Sequence, residues 1–170
     1  MRAAHVLLIA CAIGPSAMEG QQWKPFRSAE CRCSALFPGK PVGKTETTQT
    51  KLGPVEQRQF RVVVADKAMF GFICAVQPGE VVRAFTSEDI LRTMTDSMVK
   101  SSKGRLVAER DVSLKGYAGR EIEMEISGKV VSRSRVFVVA GQVYTVVAAT
   151  VKGSLPDAGR FLDSFEFEVP

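Results

Sequence analysis

The second half of the chain alternates between β-prone, apolar-rich runs and short breaks that contain glycine. This pattern predicts four β-strands, at residues 105–114, 120–126, 131–140 and 142–151. The breaks between them are short, whereas a parallel return requires a crossover of about a dozen residues. The four strands are therefore expected to pair antiparallel, each with its neighbour in the chain.

The first half contains four further β-prone runs, at residues 30–37, 44–52, 57–65 and 69–76. The run at 44–52 is polar and rich in threonine, which is typical of an exposed or edge strand. Gly53 and Pro54 are predicted to form the turn that follows it. The last two runs are the most apolar of this half, and they predict a buried hairpin.

Two helices complete the predicted elements. Thr86 or Ser87 can cap the first, and Lys103 with Gly104 ends it. Its apolar residues share one face that is expected to pack on the sheet: Ile90, Leu91, Met94 and Met98. The second helix, at 156–165, is expected to pack from the other side through Phe161, Leu162 and Phe165. A chain of 170 residues supports one core, so these elements predict a single α+β domain.

Charged residues alternate along the hairpin at 120–140. A three-residue loop at 127–129 would place Glu121 opposite Arg135 and Glu123 opposite Arg133, all on one face of the sheet. These four residues are a candidate charged binding face for an anionic partner. Such a ladder is also typical of a solvent-exposed sheet face that binds nothing, and the sequence leaves both interpretations open.

The amino-terminal residues have the pattern of a secretory signal peptide: a basic residue, an apolar run at 3–13 and a break of small residues. We assign the signal peptide to residues 1–20 and the folded domain to 21–170. Cleavage after Ala17 would release the protein into the periplasm or the medium. The alternative is a bacterial lipobox at 8–11, in which Cys11 would carry a lipid that anchors the protein to the membrane.

Charge and histidine content argue against several classes of function. The formal net charge is +5, and the basic residues are scattered among acidic ones instead of forming the stripe of a nucleic-acid binder. The single histidine, His5, lies in the predicted leader. The domain therefore lacks the imidazole of Ser–His and Cys–His nucleophilic pairs and of histidine metal sites. We expect no metal, no cofactor and no nucleic-acid partner.

Three cysteines remain in the predicted domain, and they support two hypotheses. Export favours a structural disulfide, in which Cys31 or Cys33 pairs with Cys74. Such a bridge requires the two segments to be neighbours in a sheet or across the core, because bridged Cα atoms lie within about 7 Å. On a strand, Cys31 and Cys33 would instead face the same way and could act as a redox-active C-x-C pair.

Several motifs of turn and packing residues stand out: FPGKP at 37–41, KGRLVAERDVSL at 103–114, GYAGRE at 116–121, RSRVFVVAGQVY at 133–144 and RFLDSF at 160–165. Together they resemble small exported bacterial proteins, frequent in planctomycetes, that have a PsbP-like fold. That fold is named for an extrinsic subunit of photosystem II and is shared with a nuclear factor that binds the GTPase Ran. The resemblance covers nearly all of the predicted domain.

The resemblance implies an α/β/α sandwich, in which helices cover both faces of a central, mainly antiparallel sheet. Within it, Gly119 is expected to permit a turn, and Tyr144 and Phe161 to fill the core. Members with known roles are mostly non-catalytic, so the resemblance favours an exported envelope protein that binds an unidentified protein or small ligand. A small thiol oxidoreductase that uses Cys31 and Cys33 is the alternative function.

Overall fold

The computed structural model describes residues 22–50, 53–65, 67–151 and 157–169. The predicted signal peptide at 1–20 and the lipidation candidate Cys11 lie outside these residues. The described elements, in chain order, are β1 (Lys24–Ser28), β2 (Cys33–Phe37), β3 (Val42–Thr50), β4 (Gly53–Val64), β5 (Ala68–Val76), α1 (Gly79–Ala84), α2 (Ser87–Ser102), β6 (Arg105–Leu114), β7 (Tyr117–Ile126), β8 (Val130–Val139), β9 (Gln142–Val151), α3 (Ala158–Asp163) and β10 (Glu166–Phe167).

Seven strands form one antiparallel main sheet, in the order β3-β4-β5-β9-β8-β7-β6. Two runs of consecutive hairpins, β3 to β5 and β6 to β9, make up its halves, and β5 pairs with β9 where they join. Strands β1, β2 and β10 form a small antiparallel sheet with β2 in the middle. The predicted antiparallel pairing of the four consecutive strands of the second half is confirmed.

One face of the main sheet, here called the α2 face, carries the long helix. Thr86 caps α2 in a reciprocal pair with Asp89, in which each side chain accepts a hydrogen bond from the other residue's backbone N–H. Apolar residues of the helix and of strands β8 and β9 are buried together, namely Ile90, Leu91, Val136, Val138 and Val143, and Met94 and Met98 are partly buried against them. The predicted apolar face of this helix is confirmed.

The opposite face, here called the aromatic face, supports the small sheet and α3. Phe37 of the small sheet lies 5.1 Å from Phe161 of α3, and Tyr144 of the main sheet lies 5.4 Å from Phe167, measured between ring centroids. The buried rings of this layer are Phe37, Phe70, Phe72, Phe137, Tyr144, Phe161, Phe165 and Phe167. The main sheet thus lies between α2 and the layer of α3 and the small sheet, as the predicted sandwich requires.

The hairpin of β7 and β8 has the register that the sequence predicts. Ile126 pairs with Val130, and the loop between them turns at Ser127 and Gly128, whose φ angles are 53° and 67°. Glycine is suited to such a left-handed position because it has no Cβ. The glutamates of β7 therefore lie opposite the arginines of β8.

Other details of the predicted elements are wrong. Gly53 and Pro54 are not a turn, because they pair with Thr50 and Gln49 in the ladder of β3 and β4. The hairpin of β3 and β4 therefore extends up to residue 50. Strands β1 and β10 and helix α1 were not predicted, since elements this short do not develop a recognisable period.

Gly119 lies inside β7 instead of in the expected turn. The strand begins at Tyr117, and Gly119 pairs with both Val112 and Phe137. A Cβ atom at this position would lie 2.6 Å from the carbonyl oxygen of Val136 and would overlap the ring of Phe137. Glycine is required here because the Phe137 ring lies directly over the backbone.

Replacing Gly119 with alanine is expected to destabilise the protein by about 1–3 kcal/mol, because the added methyl group must displace the Phe137 ring. Urea unfolding measures the change. Gly159→Ala is the matched control, since its Cβ would meet no atom within 4 Å and it lies in α3, where alanine is favoured over glycine. Equal stability of the two variants would contradict this role of Gly119.

Candidate functional site

A disulfide joins the loop between β1 and β2 to the main sheet. Cys31 lies in the turn at 29–32 and is bridged to Cys74 of β5, with the Cα atoms 5.8 Å apart. This is one of the two pairings that the sequence left open, and it crosses the core. The prediction that Cys31 and Cys33 share a strand is wrong, because Arg32 has a φ of 50° and β2 begins only at Cys33.

Cys33 is the free cysteine of the described residues, and its thiol is inaccessible. The residue is 1% exposed. Burial, reinforced by the negative charge of Glu168, raises the pKa of the Cys33 thiol to about 12. Because the thiolate is the reactive form, this thiol is unreactive at neutral pH. With Cys31 bridged to Cys74, the geometry does not support the thiol oxidoreductase alternative.

Buried hydrogen bonds hold the disulfide loop in place. The Tyr144 hydroxyl donates to the carbonyl oxygen of Cys31 at 2.8 Å, and the backbone N–H of Cys31 donates to the Ser28 hydroxyl at 3.2 Å. Burial raises the pKa of Tyr144 to about 12, so the hydroxyl keeps the proton that it donates. These contacts make the cysteine region a structural site.

The candidate charged face lies on the aromatic face of β7 and β8, where α3 approaches the sheet. Glu121 is buried and accepts hydrogen bonds from Arg135 at 2.6 Å and from Arg110 at 2.9 Å. Arg135 also donates to the carbonyl oxygen of Leu162 at 3.1 Å and to Asp163 at 2.8 Å. Glu121 and Arg135 therefore attach the carboxyl end of α3 to the sheet.

Glu123 and Arg133 form the more exposed half of the predicted face. Their side chains lie 3.0 Å apart and remain 30% and 40% exposed. A shallow pocket of about 220 Å³ beside them is lined by Ala108, Glu109, Arg110, Glu121, Glu123 and Arg133. This lining has three carboxylates against two guanidinium groups, so it offers no excess of positive charge to an anionic ligand.

Opposing effects act on the ionisation of Glu121. Burial alone would raise its pKa, but the hydrogen bonds and positive charges of Arg135 and Arg110 outweigh burial and hold the pKa below the usual 4.5. The carboxylate is therefore ionised at neutral pH and acts as the centre of a buried ion-pair network.

A second surface lies on the α2 face, beside the helix. Val63 of β4 is paired with Met69 of β5, which is paired with Ala149 of β9, and these residues point to the same side as Ile73 and Val147. We call these five residues the open strip. Val63 is 56% exposed and the other four are partly buried, because α2 lies over β7 and β8 instead.

Shallow apolar pockets lie at the two ends of β5. One, of about 170 Å³, contains Val63, Met69 and Ala149 of the open strip together with Lys67. The other, of about 220 Å³, lies between α1 and α2, and its apolar lining is Val81, Phe85, Ile90 and Met94. Phe85 is 48% exposed, and no residue of α1 is buried. A second exposed apolar patch therefore lies beside α1, at the other end of β5.

Sequence reasoning missed this surface. Strands β5 and β9 are apolar on both faces, which predicts burial on both sides. Only one long helix precedes β6, and it packs over the other half of the sheet. The signal that could have located the strip is this mismatch between two apolar strand faces and a single amphipathic helix to cover them.

Within residues 22–50, 53–65, 67–151 and 157–169, no group of three or more His, Cys, Asp and Glu side chains is arranged to hold a metal ion. The helices of that same part of the chain are too short or too polar to cross a membrane.

Comparisons with known proteins place this geometry in a known fold. Neither a protein-family model nor a curated protein sequence matches the chain. Among solved structures, the chain is similar to the solution structure of cyanobacterial PsbP (CyanoP) from Synechocystis sp. PCC 6803, with a TM-score of 0.59 and 13% identity. The similarity covers 92% of this chain and 99% of that chain. The chain has a PsbP-like fold.

The PsbP-like fold that the motifs implied is thus confirmed, and at this sequence identity the similarity extends to the fold alone. The bacterial origin, the export and the binding role that accompanied the resemblance remain predictions.

Cys74→Ser in this PsbP-like fold is expected to lower stability under oxidising conditions by about 4 kcal/mol. The bridge closes a sequence separation of 43 residues, and its loss restores chain entropy to the unfolded state. Thermal unfolding with and without reductant measures the effect. Cys33→Ala is the control, because it should retain the difference between the two conditions, whereas Cys74→Ser should abolish it. A difference that survives in Cys74→Ser would show that the bridge does not stabilise the fold.

Glu121→Gln is expected to cost about 1.5–3 kcal/mol at neutral pH, because Arg135 and Arg110 lose a charged acceptor while Asp163 still pairs with Arg135. The stabilisation from the Glu121 carboxylate is present above its unfolded pKa and is lost as pH falls through its lower folded pKa. Urea unfolding should therefore show that wild type loses more stability below about pH 4.5 than Glu121→Gln does.

Glu123→Gln is the matched control for that loss, since its ion pair with Arg133 is partly exposed and should contribute less than about 1 kcal/mol. Equal costs for the two variants would show that Glu121 and Arg135 do not anchor α3 more strongly than a surface pair.

Proposed function

We propose that the chain is an exported, non-catalytic module of the cell envelope that binds a protein partner through the open strip. The observation that carries this proposal is the exposure of apolar side chains on the α2 face. Val63 and Phe85 are about half exposed, and partly buried apolar residues lie between them on β5 and β9. Exposed apolar side chains that share one face in this way typically mark a site of protein interaction.

The chemistry of the other candidate residues supports a non-catalytic role. Catalytic thiols and carboxylates need access to substrate and a pKa suited to their task. The Cys33 thiol is buried, with its pKa raised to about 12. The Glu121 carboxylate is buried and occupied by two arginines. The groups that looked reactive in the sequence are used to hold the fold together.

At the open strip, the shapes of the two neighbouring pockets favour a protein over a small ligand. Binding sites for small molecules are typically concave, of about 300–1,000 Å³, and enclose most of the ligand. The two pockets at the ends of the open strip have volumes of about 170 and 220 Å³ and are shallow. An elongated apolar surface with small depressions is better suited to the side chains of another protein.

Export is supported by two independent features. The pattern of residues 1–20 is that of a signal peptide. The Cys31–Cys74 disulfide is also of a kind that forms and persists in oxidising compartments outside the cytosol. The Cys11 lipid anchor stays an alternative form of the same exported protein.

Site-specific photocrosslinking in the producing cells tests the proposal. A photoreactive phenylalanine analogue at Val63 is expected to give one discrete adduct with a partner protein. The same analogue at Val107 is the control, because Val107 is similarly exposed, at 47% against 56%, but lies in β6 at the far edge of the sheet. The intact mass of the purified protein should place its first residue between Cys11 and Gln21.

Absence of an adduct at Val63, or equal labelling from Val107, would overturn the binding surface. An intact Met1 in the recovered protein would overturn export, and a diacylglycerol adduct on Cys11 would establish the lipid-anchored form.

A further inference from the structure

We infer that the partner segment is a single amphipathic helix that carries acidic residues beside its apolar stripe. This inference rests on the proposed function of the open strip and adds the chemistry of the segment that occupies it. It is argued from the dimensions of the uncovered surface, from the elements that border it and from the charges along its edge.

The uncovered surface has the dimensions of one helix. It spans β4, β5 and β9, and three strands at about 4.8 Å spacing give a width of roughly 10–14 Å, close to the diameter of about 10–12 Å of an α-helix with its side chains. The nine residues of β5 extend over roughly 30 Å; on the α2 face Met69 and Ile73 are partly exposed, and Gly71 and Ala75 are buried. A helix of about 20 residues covers that length.

Neighbouring elements favour a helix over an added strand. The surface is a sheet face, whose backbone groups are already paired within β4, β5 and β9, so an extended segment lying on it would leave its own groups unpaired. A helix forms its backbone hydrogen bonds internally and needs only an apolar stripe to dock on this face. The covered half of the same face shows this arrangement, since α2 packs there on β7 and β8.

Helix α1 borders one end of the surface. Val81 packs against the buried residues beneath α2, whereas the Phe85 ring beyond α1 stays half exposed in the pocket between α1 and α2. A large half-exposed ring at the end of an apolar groove is suited to contact a bulky apolar side chain of the docked helix.

The charges along the edge of the strip are positive. Arg61 lies on β4 between Gln59 and Val63 on the same face, and Lys67 lines the pocket that contains Val63. Both are exposed, and neither has an ion-pair partner among the described residues. The acidic side chain nearest the other pocket, Asp89, is engaged by Thr86 and Arg92.

The remaining charged groups on that side of β3 compensate each other, because Lys44 and Glu46 form an ion pair. Among the described residues no carboxylate pairs with Arg61 or Lys67, so these two side chains contribute positive charge to the edge. Carboxylates on a docked helix would complement that charge and would be guided to the surface at low ionic strength.

Two designed helical peptides test this chemistry. Each is about 20 residues long and has the same stripe of leucine on one face, flanked by glutamate in one peptide and by lysine in the other. Fluorescence anisotropy with the disulfide-bonded protein should show that the glutamate peptide binds about tenfold more tightly or better. Added salt should reduce the difference between the peptides.

Charge reversal and the replacement of one exposed apolar residue localise the binding. Arg61→Glu with Lys67→Glu should reverse the preference between the peptides, whereas Lys24→Glu with Lys40→Glu, which changes net charge equally at exposed positions of the opposite layer, should preserve it. Val63→Ser should weaken both peptides without loss of fold, because the side chain is more than half exposed.

The inference would be overturned by equal affinity for both peptides, by the same reversal in the Lys24 and Lys40 variant, or by binding of anionic phospholipid vesicles through Arg61 and Lys67 in place of the peptides. If neither peptide binds but the analogue at Val63 gives a crosslink in cells, the acidic helix is rejected and the protein-binding role is retained. Failure of both would reject the proposed function as well.

Discussion

The layer of aromatic rings on one face of the main sheet is the interaction on which the rest of the structure depends. Rings from β2, α3 and β10 pack against rings from β5, β8 and β9. Each of the three covering elements is short, and elements of two to six residues gain little stability from their own hydrogen bonds. They are held in place because the rings bury a large apolar area, and the disulfide and the Arg135 network reinforce the same layer.

The need to hold this layer in place explains why the residues with the most reactive side chains have structural roles. The aromatic face needs firm attachment because its cover is assembled from segments that are distant in the chain. Cys31, Tyr144 and Ser28 fix the loop before β2, and Glu121 with Arg135 fixes the end of α3. Groups committed to such contacts are poor candidates for catalysis, since moving them would open the core.

The α2 face has the opposite character. One continuous helix of 16 residues covers half of it, and α1 contributes no buried residue. On the uncovered half, β5 and β9 present apolar side chains such as Met69, Ile73 and Val147, beside the polar Gln59 and Arg61 of β4. A sheet can tolerate this because the aromatic face already supplies most of the core, so the second face can be only partly covered and remain available to a partner.

The sequence by itself determined the longer strands and the helices α2 and α3, the register of the hairpin of β7 and β8, and the apolar faces of the two helices. These properties follow from local periods and from a turn of fixed length. The sequence left open whether Cys31 or Cys33 pairs with Cys74, because the answer depends on the left-handed backbone conformation of Arg32 in the turn before β2.

Only the tertiary structure decided that Arg135 would be covered by a helix end 27 residues further along the chain, and that α2 would lie over β7 and β8 and leave β4 and β5 bare. Alternation along a strand specifies which side chains share a face. It contains no information about which distant element will pack on that face, since that depends on the summed burial of the whole chain.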